Sequence, residues 1–233
     1  MIMASKIKFY LVRHGESMGN VDKNVHHTVA DHVIPLSEKG RLQAFGAGRK
    51  LAVHLISNKE TEYTEKIRLW VSPYKRTRET ADFLQQGIDD VLKSDGNPSW
   101  FEFSRREDVT LVEQQFGMFD GIKDEDLPKV FPLEYAHYKK QEDFEGRFWA
   151  RMPLGESRFD VAVRVKQMFG TLHRDSENTG VNTNVVISHG VTLRAFMMQW
   201  LHLPYEWFDK ERNPKNCSIR LMKDQKDFGY IHQ

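Results

Sequence analysis

The chain carries one cysteine, Cys217, so neither an intrachain disulfide nor a Cys-rich zinc site can form within it. That usage suits a reducing compartment. Long apolar runs are also missing: stretches such as Val185 to Ile187 are strand-sized, far short of the ~18 residues a membrane span needs. Charge is balanced, 34 Lys and Arg against 33 Asp and Glu, and the formal net charge of +1 argues against a protein-wide field that gathers nucleic acid or anionic membrane. Any anion site has to be local. The opening residues Met1 to Lys6 turn polar too early for a signal peptide, and no repeat or low-complexity tract is present. A cytoplasmic protein without nucleic-acid or membrane partners is expected.

What is present is enough for a core: 233 residues, 39% hydrophobic, 29% charged and 12% aromatic, a length within reach of a single α/β domain. Ile7 to Val12 is rich in β-branched and aromatic residues and reads as a buried strand that stops at Arg13-His14-Gly15. Ser37 reads as a helix N-cap, followed by Leu42, Phe45, Gly48, Ala52 and Leu55 at helical spacing. Arg68 to Val71 predicts a second strand, and after Ser72-Pro73 the residues Thr77, Ala81, Leu84 and Ile88 share one helical stripe, with a loop from Gly87 to Pro98. Val109 to Val112 predicts a short third strand ending at Glu113. Phe159, Ala162, Val165, Phe169 and Leu172 predict another helix, and Asn184 to Ser188 a fourth strand. A helix then runs from His189-Gly190 to about His202, and Ser218 to Met222 with Tyr230 to His232 close the chain as strands.

Strands alternating with helices predict a three-layer αβα sandwich around a mostly parallel sheet. Between 117 and 153 the alternation breaks into aromatics (Phe119, Phe131, Tyr135, Tyr138, Phe144, Phe148 and Trp149) interleaved with charges. That stretch predicts a partly helical cap insertion, its aromatics serving ordinary packing or a substrate wall.

Open α/β sheets bind ligands beyond the carboxyl ends of their strands, where helix N-termini offer N–H groups to anions. Four expected strand ends supply Arg13 with His14, Arg76, Glu113, and His189. Ser17 and Asn20 add a hydroxyl and an amide near His14, and together these groups compose a phosphate pocket with a carboxyl at its rim. The inventory permits phosphoryl transfer to an imidazole nitrogen, two guanidiniums spreading the charge and Glu113 protonating the leaving oxygen. No metal and no cofactor is needed. Glu16, Glu102 and Glu107 stay open as alternative acids, and Arg78 as an alternative to Arg76. His26, His27, Asp31 and His32 form a cluster in an expected loop that lacks an i, i+4 histidine pair, so a substrate contact is preferred there to a metal.

The stretch Leu11-Val-Arg-His-Gly-Glu-Ser17 resembles the signature of the histidine phosphatase superfamily, also called phosphoglycerate mutase-like. Pro35 to Gly40, Ser72 to Ala81, Leu111 to Gly117 and Val186 to Gly190 resemble further segments of that family in order and spacing. The resemblance implies His14 as the phosphorylated nucleophile and Glu113 as the proton donor. It implies Arg13, Arg76, His189 and Asn20 as phosphoryl contacts, a backbone N–H from Gly190, and Glu156 as a support of the pocket. The family's mutases continue their Glu segment with Arg and later supply a Lys and an Arg-Arg pair. Here Gln114, Phe116 and Asp124 stand in that region, and Arg147 and Arg151 are not adjacent. Hydrolysis of a small phosphorylated substrate is therefore expected. A phosphoglycerate mutase and a non-catalytic phosphate- or phosphopeptide-binding module remain as alternatives, and a homodimer is left open.

Overall fold

The computed structural model describes residues 7–59, 61–96 and 99–233; the leader reading of Met1 to Lys6 and the Pro98 end of the expected loop lie outside the described residues. In chain order the elements are β1 (Lys8–Arg13), α1 (Met18–Val21), α2 (Val25–Thr28), α3 (Glu38–Ser57), β2 (Glu65–Val71), α4 (Lys75–Ser94) and β3 (Phe101–Glu107). There follow α5 (Leu127–Val130), α6 (Pro132–Glu145), α7 (Arg158–Thr179), β4 (Thr183–Ser188), α8 (Gly190–Trp200), α9 (Tyr205–Lys210), β5 (Ile219–Lys223) and β6 (Lys226–His232). Among the described residues one six-stranded sheet forms in the order β3-β2-β4-β1-β5-β6, the first four strands parallel, β5 antiparallel to β1 and β6 antiparallel to β5.

Period-two alternation divides the core into two layers. Phe9, Leu11, Trp70 and Val186 point to one face and pack on α7 and α8. Tyr10, Val12, Leu69, Val71, Val185 and Ile187 point to the other and pack on α3 and α4. The α/β sandwich is thus as expected. Edge-on aromatic contacts from Phe9 to Phe196 (5.2 Å) and to Trp200 (4.8 Å) fix the first layer. In the second, α3 and α4 touch backbone to backbone: a Cβ on Gly48 would lie 2.0 Å from the Leu84 carbonyl oxygen, and one on Gly87 2.1 Å from that of Phe45. Only glycine permits this approach, which is why α4 passes through Gly87 to Ser94 where the sequence predicts a loop.

Other expectations are also corrected. Val109–Leu111 is a 3-10 turn capped by the Asp108 side chain, which accepts from the Thr110 N–H at 2.8 Å, and not a strand. The third strand is Phe101–Glu107, whose charged edge hides its strand character. Leu42 is 74% exposed because the buried stripe of α3 is made of small residues, Ala44, Ala47, Gly48 and Ala52, with Leu51 and Leu55. Phe159 lies half out of α7, packed 5.0 Å from Trp149 on the surface. The segment 117–153 holds a 3-10 turn (Gly117–Phe119), α5 and α6 around a small cluster of Phe119, Leu127, Tyr138 and Ala150. No described helix is long and apolar enough to cross a membrane.

Candidate active site

Sheet register assembles the site. Arg13 pairs with Ser188 and Val71 with Ile187, so β1, β2 and β4 end level and place His14, Ser72 and His189 side by side. The His14 N–H donates to the Ser188 carbonyl at 3.0 Å, and the Gly15 N–H donates to Thr80 Oγ1 at 3.0 Å, tying the loop after β1 to β4 and α4. Asn216 Nδ2 donates to the His14 carbonyl at 3.0 Å, and the Cys217 N–H to that of Arg13 at 3.0 Å. Cys217 makes that bond from left-handed backbone at φ 57°, and burial pushes its thiol up to about 12.

His14 is buried, and its Nδ1 lies 2.7 Å from the Gly15 carbonyl. A carbonyl only accepts, so Nδ1 carries the proton and the lone pair of the neutral ring sits on Nε2. Burial holds the His14 pKa well below the ordinary 6.5, and Arg76 and Arg13 lower it further, against the opposing pull of the Gly15 carbonyl. His189 packs 5.1 Å from the His14 ring and shares a 2.9 Å hydrogen bond with Ser72 through Nε2. Burial, then Arg76, likewise holds its pKa well below 6.5. Its Nδ1 is buried without a partner among the described residues, as is Arg13 Nε. Arg13 Nη1 donates to the Pro214 carbonyl at 2.7 Å; burial draws its guanidinium pKa down, with Glu113 partly offsetting.

A cavity of about 450 Å³ opens here, walled by Arg13, His14, Ser17, Asn20, Arg76, Glu113 and Phe116 together with Phe119, Tyr135 and Tyr138 of the cap segment. Phe119 and Tyr138 are also packed in the small core of the cap, whereas Phe144 is 88% exposed. Ser17 caps α1 by accepting from the Asn20 N–H, and Asn20 Oδ1 accepts from the Ser17 N–H and from Asn216, leaving the Asn20 amide nitrogen for the cavity.

Glu113 reaches the cavity from an irregular segment and not from a strand. That segment is fixed by Ser188 Oγ donating to the Leu111 carbonyl (2.7 Å) and Thr192 Oγ1 to that of Val112 (2.6 Å). The alternative acids lie elsewhere: Glu16 bonds Ser37 and Lys39, Glu107 bonds Arg78, and Glu102 is exposed on β3.

Gly190 opens α8, but neither it nor His189 nor Glu156 belongs to the cavity wall. Glu156 works from behind. It accepts from the Gln115 N–H (2.9 Å) and pairs with both Nε and Nη2 of Arg164, while Arg164 donates to the carbonyls of Thr110 and Glu113. The histidine cluster divides: His26, on the short helix α2 and not in a loop, reaches the wall with Asp31, while His27 and His32 do not.

Sequence reasoning missed Asp31 as a partner of Arg76, and also Asn216, Thr80 and Arg164. It missed Lys139 and Arg147 as wall cations too. Thr80 was within reach, since it sits in the Thr-Ala stretch one helical turn beyond Arg76; Asp31, Asn216 and Arg164 bond across long sequence separations that no spacing encodes.

The model of the histidine phosphatase superfamily (branch 1) matches residues 9–232. The phosphoglycerate mutase-like protein AT74 of Arabidopsis thaliana is 36% identical over 229 residues, which are 93% of this chain; the chain spans 64% of that relative's length. The broad-range acid phosphatase DET1 of Saccharomyces cerevisiae is 24% identical over 91% of this chain and 84% of its own. A native structure of a mycobacterial glucosyl-3-phosphoglycerate phosphatase matches at a TM-score of 0.66 and 20% identity, covering 97% of this chain and 99% of that one, a likeness of fold. With that match running from the first strand to the last, over a buried histidine pair at the ends of β1 and β4, the chain belongs to the histidine phosphatase superfamily.

Proposed function

We propose that this chain is a phosphomonoester hydrolase that passes the phosphoryl group through His14. The observation that carries the reading is the bond from His14 Nδ1 to the Gly15 carbonyl, which puts the imidazole lone pair on Nε2 of a ring that shares its cavity wall with Arg13 and Arg76. Nε2 attacks phosphorus in line, and Arg13 and Arg76 take the charge of the equatorial oxygens. The unpartnered Nδ1 of His189 adds a donor or acceptor beside His14. Glu113, as the acid, gives its proton to the leaving alkoxide; as a carboxylate it then takes one from the water that cleaves the phosphohistidine. Guanidiniums neutralise the phosphoryl oxygens in this scheme, so it asks for no metal.

Rapid quenching with labelled substrate tests it: an acid-labile, base-stable adduct on His14 is expected, and His14→Ala should lose both adduct and turnover. Label on another residue, or an active His14→Ala enzyme, refutes it.

One observation favours a mutase instead, the two further wall cations Lys139 and Arg147. Both already face Glu142, Lys139 through a very short contact and Arg147 at 3.7 Å, and Asp124 and Phe116 share that wall. A second anionic end would meet carboxylates there, so hydrolysis is the better-supported reaction. Primer-dependent isomerisation of 3-phosphoglycerate that outpaces its hydrolysis would reverse this choice.

A further inference from the structure

Arg76 makes three hydrogen bonds to one residue of the chain. Its Nη1 donates to the Asp31 carbonyl (2.7 Å) and to Oδ1 (2.9 Å), and its Nη2 donates to Oδ2 (3.0 Å). Two parallel bonds from a guanidinium fork to one carboxylate are the same geometry by which arginine grips a phosphoryl group. Both side chains stand on the cavity wall, Arg76 6% and Asp31 22% exposed, with the Tyr74 ring 4.9 Å from the guanidinium.

The anion is also deliberately surrounded. His26 Nδ1 is buried without a hydrogen-bond partner, 3.5 Å from Asp31 Oδ1 and 3.7 Å from Asp120 Oδ1. Its ring fits because two neighbours lack side chains: a Cβ on Gly19 would lie 2.4 Å from Nε2, and one on Gly121, at φ +74°, 2.6 Å from the His26 Cβ. Burial, and then the charge of Asp31, raises the pKa of Asp120.

We propose that Asp31 is an internal competitor at the phosphoryl site: its carboxylate occupies the Arg76 fork, and an incoming phosphoryl group binds by displacing it. The proposal rests on the reading of Arg76 given under Proposed function. Ester and bare phosphate must displace Asp31 alike, so the ratio of their affinities is unchanged while both fall by one factor, which hastens release of phosphate, the product. If Asp31 holds the fork in roughly 90% of empty molecules, the apparent affinity for a small anion falls about tenfold.

The test is binding of inorganic phosphate and of vanadate to the full chain and to its Asp31→Asn and Asp31→Ala variants, by calorimetry and by inhibition of para-nitrophenyl phosphate hydrolysis. Tightening of about tenfold in both variants is expected. Unchanged or weaker binding in either folded variant overturns the proposal, because a residue that merely braces Arg76 would lose affinity when removed. Arg76→Ala is the control, and undiminished phosphate binding there refutes the reading of Arg76 and the proposal with it. A crystal structure of the unaltered chain with vanadate gives an answer independent of variant folding. Arg76 should have turned its fork to the vanadate, and survival of all three bonds to Asp31 beside bound vanadate refutes displacement.

Discussion

Glu113 Oε1 lies 3.4 Å from Thr192 Oγ1 and 3.0 Å from the Gln114 nitrogen, so the carboxyl is oriented on the cavity wall but not consumed by a salt bridge among the described residues. In its proposed role of general acid it should matter in proportion to the basicity of the leaving oxygen. Glu113→Gln should slow phosphorylation of His14 by an alkyl phosphate ~10²- to 10⁴-fold and by para-nitrophenyl phosphate much less, measured in single turnover. Equal losses on both esters would assign Glu113 a merely spatial part. Residues of this kind were legible in the sequence where they sit together: Arg13, His14, Ser17 and Asn20 lie within one loop and helix start. Asp31 and Asn216 were not, because a carboxylate 45 positions from its arginine and an amide 202 positions from the carbonyl it holds leave no periodic trace.

Helix α7 reaches the chemistry through one side chain. Arg164 binds the carbonyls of Thr110 (2.6 Å) and Glu113 (3.1 Å) and grips Glu156 with two nitrogens, so it braces the whole segment that delivers the acid. Arg164→Ala should lower kcat by about 10²-fold, the scale of a misplacement near 1 Å, with a smaller change in KM. It should also destabilise the fold by about 1–3 kcal/mol, because it strands hydrogen-bonding groups. Arg164→Lys should recover stability better than kcat, since an ammonium cannot reproduce the fork. A rise in KM with kcat untouched would refute this. Elements were well read where one face is apolar, as in β1, β4 and the first half of α4, and misread where small residues make the contact. Alanine and glycine carry little hydropathy, so α3 was rotated toward Leu42. Val109 to Val112 reads as a strand but finds no partner, while Phe101–Glu107 hides an edge strand behind its charges.

At the scale of the molecule, two imidazoles are buried side by side at the strand ends. His14 and His189 keep pKa values well below 6.5, whereas in the unfolded chain both take up protons near that pH. The unfolded state then binds more protons, so stability is complete above about pH 6.5 and declines as the pH falls below it. Urea denaturation midpoints at pH 7.5, 6.5 and 5.5 should fall in that order, and His14→Gln should flatten the trend; a pH-independent midpoint would contradict it. Two-layer burial and the parallel sheet were readable from the alternation of strand and helix, but strand order was not, since register is set by side chains meeting across the sheet. Burial extends to sulfur. Oxidants attack a thiolate, and Cys217, buried with its pKa raised to about 12, stays protonated and out of reach beside the His14 loop. With His14 as the proposed nucleophile and the sole thiol shut away, phosphatase activity should persist through a burst of peroxide that would silence an enzyme built on cysteine.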